Sequence, residues 1–204
     1  LVATVLGVSY TMHRAAHMAH HRATNVAGED PDLVTTDRTP WAILTCGPKM
    51  VISEYQDYFT RVFPRAPFKE RVTVLLEILV FVGWRLALAM SGFATEVLVL
   101  AVLANIAGVS LLGFLFAWVV HTPFDETERY RDTATILLPS PVHELLTRLW
   151  LWQNYHSIHH LFPRVAYYRY AALFDEIREG MAERGAPIID LGARSIEQQA
   201  PRIS

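Results

Sequence analysis

Six histidines fall in two copies of one spacing, H-x-x-H-H: His17, His20 and His21 in the first, His156, His159 and His160 in the second. On a helix the second copy sits at 0°, about −60° and about 40°, so all three rings leave one face within an arc of roughly 100°. Neutral imidazole is the commonest metal-ligating side chain and suits iron, zinc, copper and nickel. Two such faces read as two half-sites that meet around metal. His121 adds a seventh donor. Seven imidazoles exceed what one four-coordinate zinc needs, so two metals are more economical. His13 and Asn154 are further candidates, although Asn154 falls near 160° from His156 and fits a supporting role better than a direct one. Asp30 and Asp32 are placed to orient histidines through Nδ1–H, unless they simply form a solvated turn. His143 reads as a loop or helix-start residue. Tyr167, Tyr168 and Tyr170 read as interfacial anchors.

Other chemistries find little support. With Cys46 as the only cysteine, an internal disulfide, a C-x-x-C pair, a Cys-ligated zinc and a Cys-held iron–sulfur cluster are excluded. No glutamate has a histidine three residues later, and no H-E-x-x-H occurs. Net charge is −2, which gives no reason to expect nucleic acid as a partner. An imidazole-rich site with little carboxylate can hold redox iron with open positions.

The elements that must position these donors are helical and largely apolar; 52% of the 204 residues are hydrophobic. His13, His17, His20, His21 and Thr24 share one helical stripe, closed by the polar loop Gly28-Glu29-Asp30-Pro31-Asp32. Leu1–Met12 is too short to span and reads as the last turns of a transmembrane helix or a buried helix end. Trp41–Phe63 mixes aromatic residues and charge, which suits a segment at the membrane surface, with a core helix as the competing reading. Residues 72–92 are long enough to span but carry Glu77 and Arg85, which share a face and turn inward. A direct ion pair is not assured, because eight residues of rise is about 12 Å. Val97–Val120 has 24 residues and no charge, the clearest span. The short connection Ser91–Thr95 makes the two a tight hairpin. From Ala171 the tail reads as an amphipathic helix with a loose, polar end.

Two spans return the chain to the side it left, so both histidine boxes and His121 emerge on one face. Of the 18 Lys and Arg residues, eight precede the hairpin, nine follow it, one is Arg85 and none lies in the turn. The positive-inside rule puts that face in the cytoplasm. The expected fold is an all-α membrane protein, one domain over 1–204: a transmembrane helical hairpin with a cytosolic histidine-box cap.

His17-Met18-Ala19-His20-His21-Arg22-Ala23-Thr24-Asn25, with Asp30-Pro31-Asp32, resembles the second histidine box of the membrane fatty acid desaturase superfamily. Trp152-Gln153-Asn154-Tyr155-His156-Ser157-Ile158-His159-His160-Leu161-Phe162-Pro163, running to Tyr167-Tyr168-Arg169-Tyr170, resembles its third, and His121 resembles the additional histidine before it. The Q-N-Y-H and D-P-D signatures are similar to those of the carotenoid ring hydroxylase branch. The resemblance implies two iron ions held by the histidines, O2 as co-substrate, and desaturation or hydroxylation of a fatty acyl or carotenoid substrate. It implies an outside electron donor such as a ferredoxin or a cytochrome, since no flavin or haem motif is present. The family's first box, H-x-x-x-H, is missing, so the chain reads as a fragment lacking about two ligands, unless His13 partly substitutes. Ala166 stands where relatives often have proline. A truncated, inactive metal-binding relative and a divalent metal transporter are the alternatives. The second needs polar spans, and Val97–Val120 offers only Asn105 and Ser110.

Overall fold

The computed structural model describes residues 5–36, 39, 41–121 and 126–192. Helix dominates, and the chain divides into two compact units, one up to Thr127 and one from Glu128 onward.

In the first unit, α1 (Tyr10–Arg22) carries the first box. Ser9 caps it, its Oγ accepting from the Met12 amide at 3.2 Å. The helix does not run on from Leu1–Met12 as one piece, as the apolar run suggested. Val5 and Leu6 are helical, Gly7 turns left-handed at φ 71°, and α1 starts afresh after Ser9. Leu1 to Thr4 lie outside the described residues. After α1, Asn25 (φ 63°) and Gly28 (φ 82°) turn the chain into the acidic loop.

Helix α2 (Ala42–Asp57) runs on through a wide turn at Tyr58–Val62. It contains Pro48, which has no N–H to give the Leu44 carbonyl. Ser110 Oγ fills that vacancy, donating to Leu44 O at 2.9 Å. Beside it Gly47 and Gly113 let the backbones touch: a Cβ on Gly47 would lie 2.0 Å from the Val109 carbonyl oxygen. The Trp41–Phe63 segment is therefore packed along another helix on one side, while Trp41, Ile43, Leu44 and Ile52 stay exposed on the other. Met12, Tyr58 and Val74 form the core where α1, the end of α2 and α3 (Phe68–Leu88) meet.

The run Phe68–His121 is the one described helix long and apolar enough to cross a membrane, and only 11% of its most apolar window is buried. It is not straight. Gly92 sits at φ 99°, ψ 0°, outside helical geometry, and Arg85 Nε donates to Ala101 O at 3.3 Å. Sixteen residues of straight helix would separate those groups by about 24 Å. After Gly92 the chain regains its helix, with wide turns at Val97–Leu103 and Phe114–Trp118 around α4 (Ala104–Gly113), and ends in Val119–His121.

The second unit departs from the all-helical expectation. β1 (Thr135–Leu137) pairs in parallel with β2 (Ile188–Asp190), Thr135 opposite Ile188. Between them lie α5 (His143–Leu149), α6 (His156–Leu161) and α7 (Tyr170–Glu183). The tail is a helix as far as Glu183, followed by the paired strand β2; the loose, polar end expected beyond it falls on residues 193–204, outside the described residues. Tyr155, Ile158, Leu161, Tyr170, Phe174 and Met181 form the core.

Candidate metal centre

Helix α1 delivers its imidazoles by period alone. His17 and His21, one turn apart, place their Nε2 atoms 3.0 Å from each other. His20 points to the buried side, its ring 4.7 Å from that of His121 at the end of the long apolar run. Its Nδ1 lies 2.9 Å from Asp30 Oδ1 and 4.0 Å from Asp32 Oδ2. Asp30 is itself fixed: Oδ1 also accepts from the Asp32 amide and Oδ2 from the Asn25 amide, each at 2.8 Å. Both aspartates are buried, not solvated. Burial, ahead of the neighbouring charges, pushes the Asp32 carboxyl up to about 7.

His13 lies on the same stripe, stacked on His17 with centroids 5.8 Å apart. Its Nδ1 is 2.9 and 3.1 Å from the two oxygens of Glu54, a fully buried carboxylate. That hydrogen bond raises the His13 pKa above its ordinary value, against the opposing effect of burial.

The second unit repeats the pattern. Leu151 and Trp152, both left-handed, turn the chain sharply out of α5 into α6. His156 Nδ1 is 2.9 Å from Gln153 Oε1, His159 Nδ1 is 3.0 Å from the Tyr170 hydroxyl, and His160 Nδ1 is 3.5 Å from Asp132 Oδ2. The Nε2 atoms of His156 and His160 stand 3.2 Å apart. Asn154 is fully buried and donates to Ile136 O at 3.1 Å, holding β1 against the box. His143 donates from Nδ1 to Leu138 O and accepts at Nε2 from the Tyr155 hydroxyl, both at 3.0 Å.

These contacts fix tautomers. A carbonyl or carboxylate oxygen only accepts, so Nδ1 of His20, His156 and His160 carries the proton and Nε2 carries the lone pair. Two lone pairs facing at 3.2 Å, as in His156 and His160, repel unless a cation lies between them. Two nitrogens each about 2.1 Å from one ion, at angles of about 90–110°, lie about 3.0–3.4 Å apart. Both Nε2–Nε2 separations fall in that range, and imidazoles oriented through Nδ1 are the usual state of metal-bound histidine. The residues fit a metal.

Sequence reasoning found the imidazoles but missed Glu54, Asp132 and Gln153, and misread Tyr170. That tyrosine is 4% exposed, burial pushes its phenol pKa above the ordinary value, and it bonds His159 instead of anchoring an interface. Tyr167 and Tyr168 are exposed. Glu54 left one readable signal: with Gly47 and Tyr58 it falls at i, i+7 and i+11, a carboxylate on the stripe that should be apolar.

The family model described as fatty acid desaturase matches residues 1–192. The chain matches no curated protein and no solved structure.

Proposed function

The chain belongs to the fatty acid desaturase family, and from that premise we propose that it is a membrane-bound, O2-dependent di-iron oxidoreductase that desaturates or hydroxylates a fatty acyl or carotenoid substrate. The observation that carries this reading is the pair of Nε2–Nε2 approaches, 3.0 Å in the first box and 3.2 Å in the second, with Nδ1 of His20, His156 and His160 held by oxygen acceptors. The proposed ligands are His17, His20, His21, His121, His156, His159 and His160. When bound, the irons supply the oxidising chemistry, with O2 as co-substrate.

The protein's own share is placement. Asp30, Gln153, Tyr170 and Asp132 hold rings at fixed angles, and positioning of the substrate carbon decides between alkene and alcohol. The Gly92 break and the Arg85–Ala101 contact support reading the apolar run as two antiparallel spans, about 72–92 and 97–120, with the histidines at their cytoplasmic ends. Electrons come from a ferredoxin or a cytochrome.

The test is product analysis in a host that makes both acyl lipids and β-carotene and supplies a ferredoxin. A new double bond or hydroxyl on either lipid supports the proposal, and the lipid changed names the substrate; unchanged profiles from an iron-loaded protein overturn it. Metal flux without oxygen consumption would favour a transporter. His159→Ala removes the product by more than about a hundredfold while membrane insertion persists, because even the outer partners of metal-bound histidines are worth about 10–100-fold.

A further inference from the structure

Glu77 and Arg85 are costly residues in an apolar span, and they do not pair with each other. Each reaches instead to one side of the helix break at Gly7. On the upstream side, Arg85 Nη2 donates to Val5 O at 2.7 Å and Asn105 Nδ2 donates to Leu6 O at 2.6 Å. These are carbonyls that a helix ending at Leu6 leaves without intrahelical donors. Gly7 at φ 71° closes that end, and a Cβ there would stand 3.1 Å from Asn105 Nδ2 and 3.4 Å from Arg85 Nη2. On the downstream side, Glu77 Oε2 accepts from the Ser9 hydroxyl at 2.5 Å and from the Thr11 amide at 3.1 Å, while Oε1 accepts from the Thr11 hydroxyl at 3.0 Å. Ser9 Oγ in turn accepts from the Met12 amide.

The arrangement matches the dipole of α1, whose amide end meets the anion Glu77, while Arg85 and Asn105 take up the open carbonyls just before Gly7. Within hydrocarbon, broken backbone bonds must be satisfied by the protein itself. Arg85 also bonds Phe81 O and Ala101 O, so it ties the segment before α1 to both limbs of the apolar run.

We propose that Glu77, Arg85 and Asn105 are positioning residues that cap the two ends of the Gly7 break and thereby fix the height and rotation of α1, the helix carrying His13, His17, His20 and His21. Glu77 grips the cap residue Ser9 and the first-turn residue Thr11, and so holds the start of α1 at two points against sliding and rotation. The first histidine of the stripe follows two residues later. The membrane setting and the consequence for metal rest on the desaturase-family reading; the capping itself does not.

Hydrogen exchange at the Thr11, Met12 and His13 amides, together with iron per chain, tests the proposal in the detergent-solubilised full chain. Glu77→Leu is expected to speed exchange at those amides by at least about tenfold, leave the Ala104–Gly113 amides unchanged, and lower iron content. Glu77→Gln keeps one acceptor and falls between the two. It also serves as the deciding variant if Glu77→Leu does not accumulate folded. Gly7→Ala gives the same local loosening from the other end. Exchange at wild-type rates in Glu77→Gln and Gly7→Ala overturns the capping role. Faster exchange with wild-type iron content overturns the positioning role. A wild-type chain that takes up no iron refutes the metal reading, and the exchange result still decides the cap.

Discussion

Asp30 serves three donors with two oxygens, and this makes it the most informative residue of the first box. It holds the proton of His20 on Nδ1 and fastens the loop through the Asn25 and Asp32 amides. Asp30→Ala is expected to weaken metal binding by about 10–100-fold, measured by titration against a competing chelator. Asp30→Asn loses less, since its one carbonyl oxygen still accepts from Nδ1. His143→Ala behaves oppositely: both nitrogens of His143 are used within the fold, so metal affinity stays at its wild-type value while stability falls by about 1–3 kcal/mol. The two histidine boxes showed in the sequence because their six imidazoles obey local helical spacing. Their supports were not. Glu54 lies 41 residues from His13, and no periodicity links a carboxylate to a ring across that distance. Tyr170 looked like a surface aromatic among neighbours that are surface aromatics.

The same contrast holds between elements. The apolar run showed in the sequence as length and, over Val97–Val120, as absence of charge, and its break at Gly92 as a glycine between two greasy stretches. The approach of α2 to α4 did not show, because Gly47 and Gly113 resemble the glycines that have open space. The structure separates them: a Cβ on Gly113 would fall 2.4 Å from Gly47 Cα, whereas one on Gly83 or Gly108 meets nothing within 4 Å. Gly47→Ala and Gly113→Ala should each cost about 1–3 kcal/mol through overpacking against backbone that cannot yield, lowering the melting midpoint by several degrees. Gly108→Ala should leave it unchanged or raise it, because alanine is the better helix former by about 1 kcal/mol. Equal destabilisation at all three positions would mean that the close approach is not what holds α2. The β1–β2 pair escaped sequence reading for another reason: three residues are too few for alternation to register, and the partners lie at opposite ends of the second unit.

At the scale of the whole molecule the proposed chemistry demands a side. Under the proposed function, electrons from a soluble or surface-bound donor have to reach the irons, which would put the end of the proposed spans carrying His121 and α1 in the compartment that holds the donor. The distribution of arginine and lysine on both flanks of the proposed hairpin, with none in its turn, favours the cytoplasm for that end. Two single-cysteine variants decide it, in a Cys46→Ser background that removes the one native thiol. Met90, 88% exposed beside the Gly92 turn, marks one pole, and Glu29, exposed in the loop after α1, marks the other. In intact cells a membrane-impermeant maleimide is expected to label Met90→Cys and spare Glu29→Cys until the membrane is opened. The reverse pattern would put the histidines on the far side of the membrane from cytosolic ferredoxin. Labelling of both in intact cells would mean that the apolar run does not cross at all, and the two-span reading would fall with it.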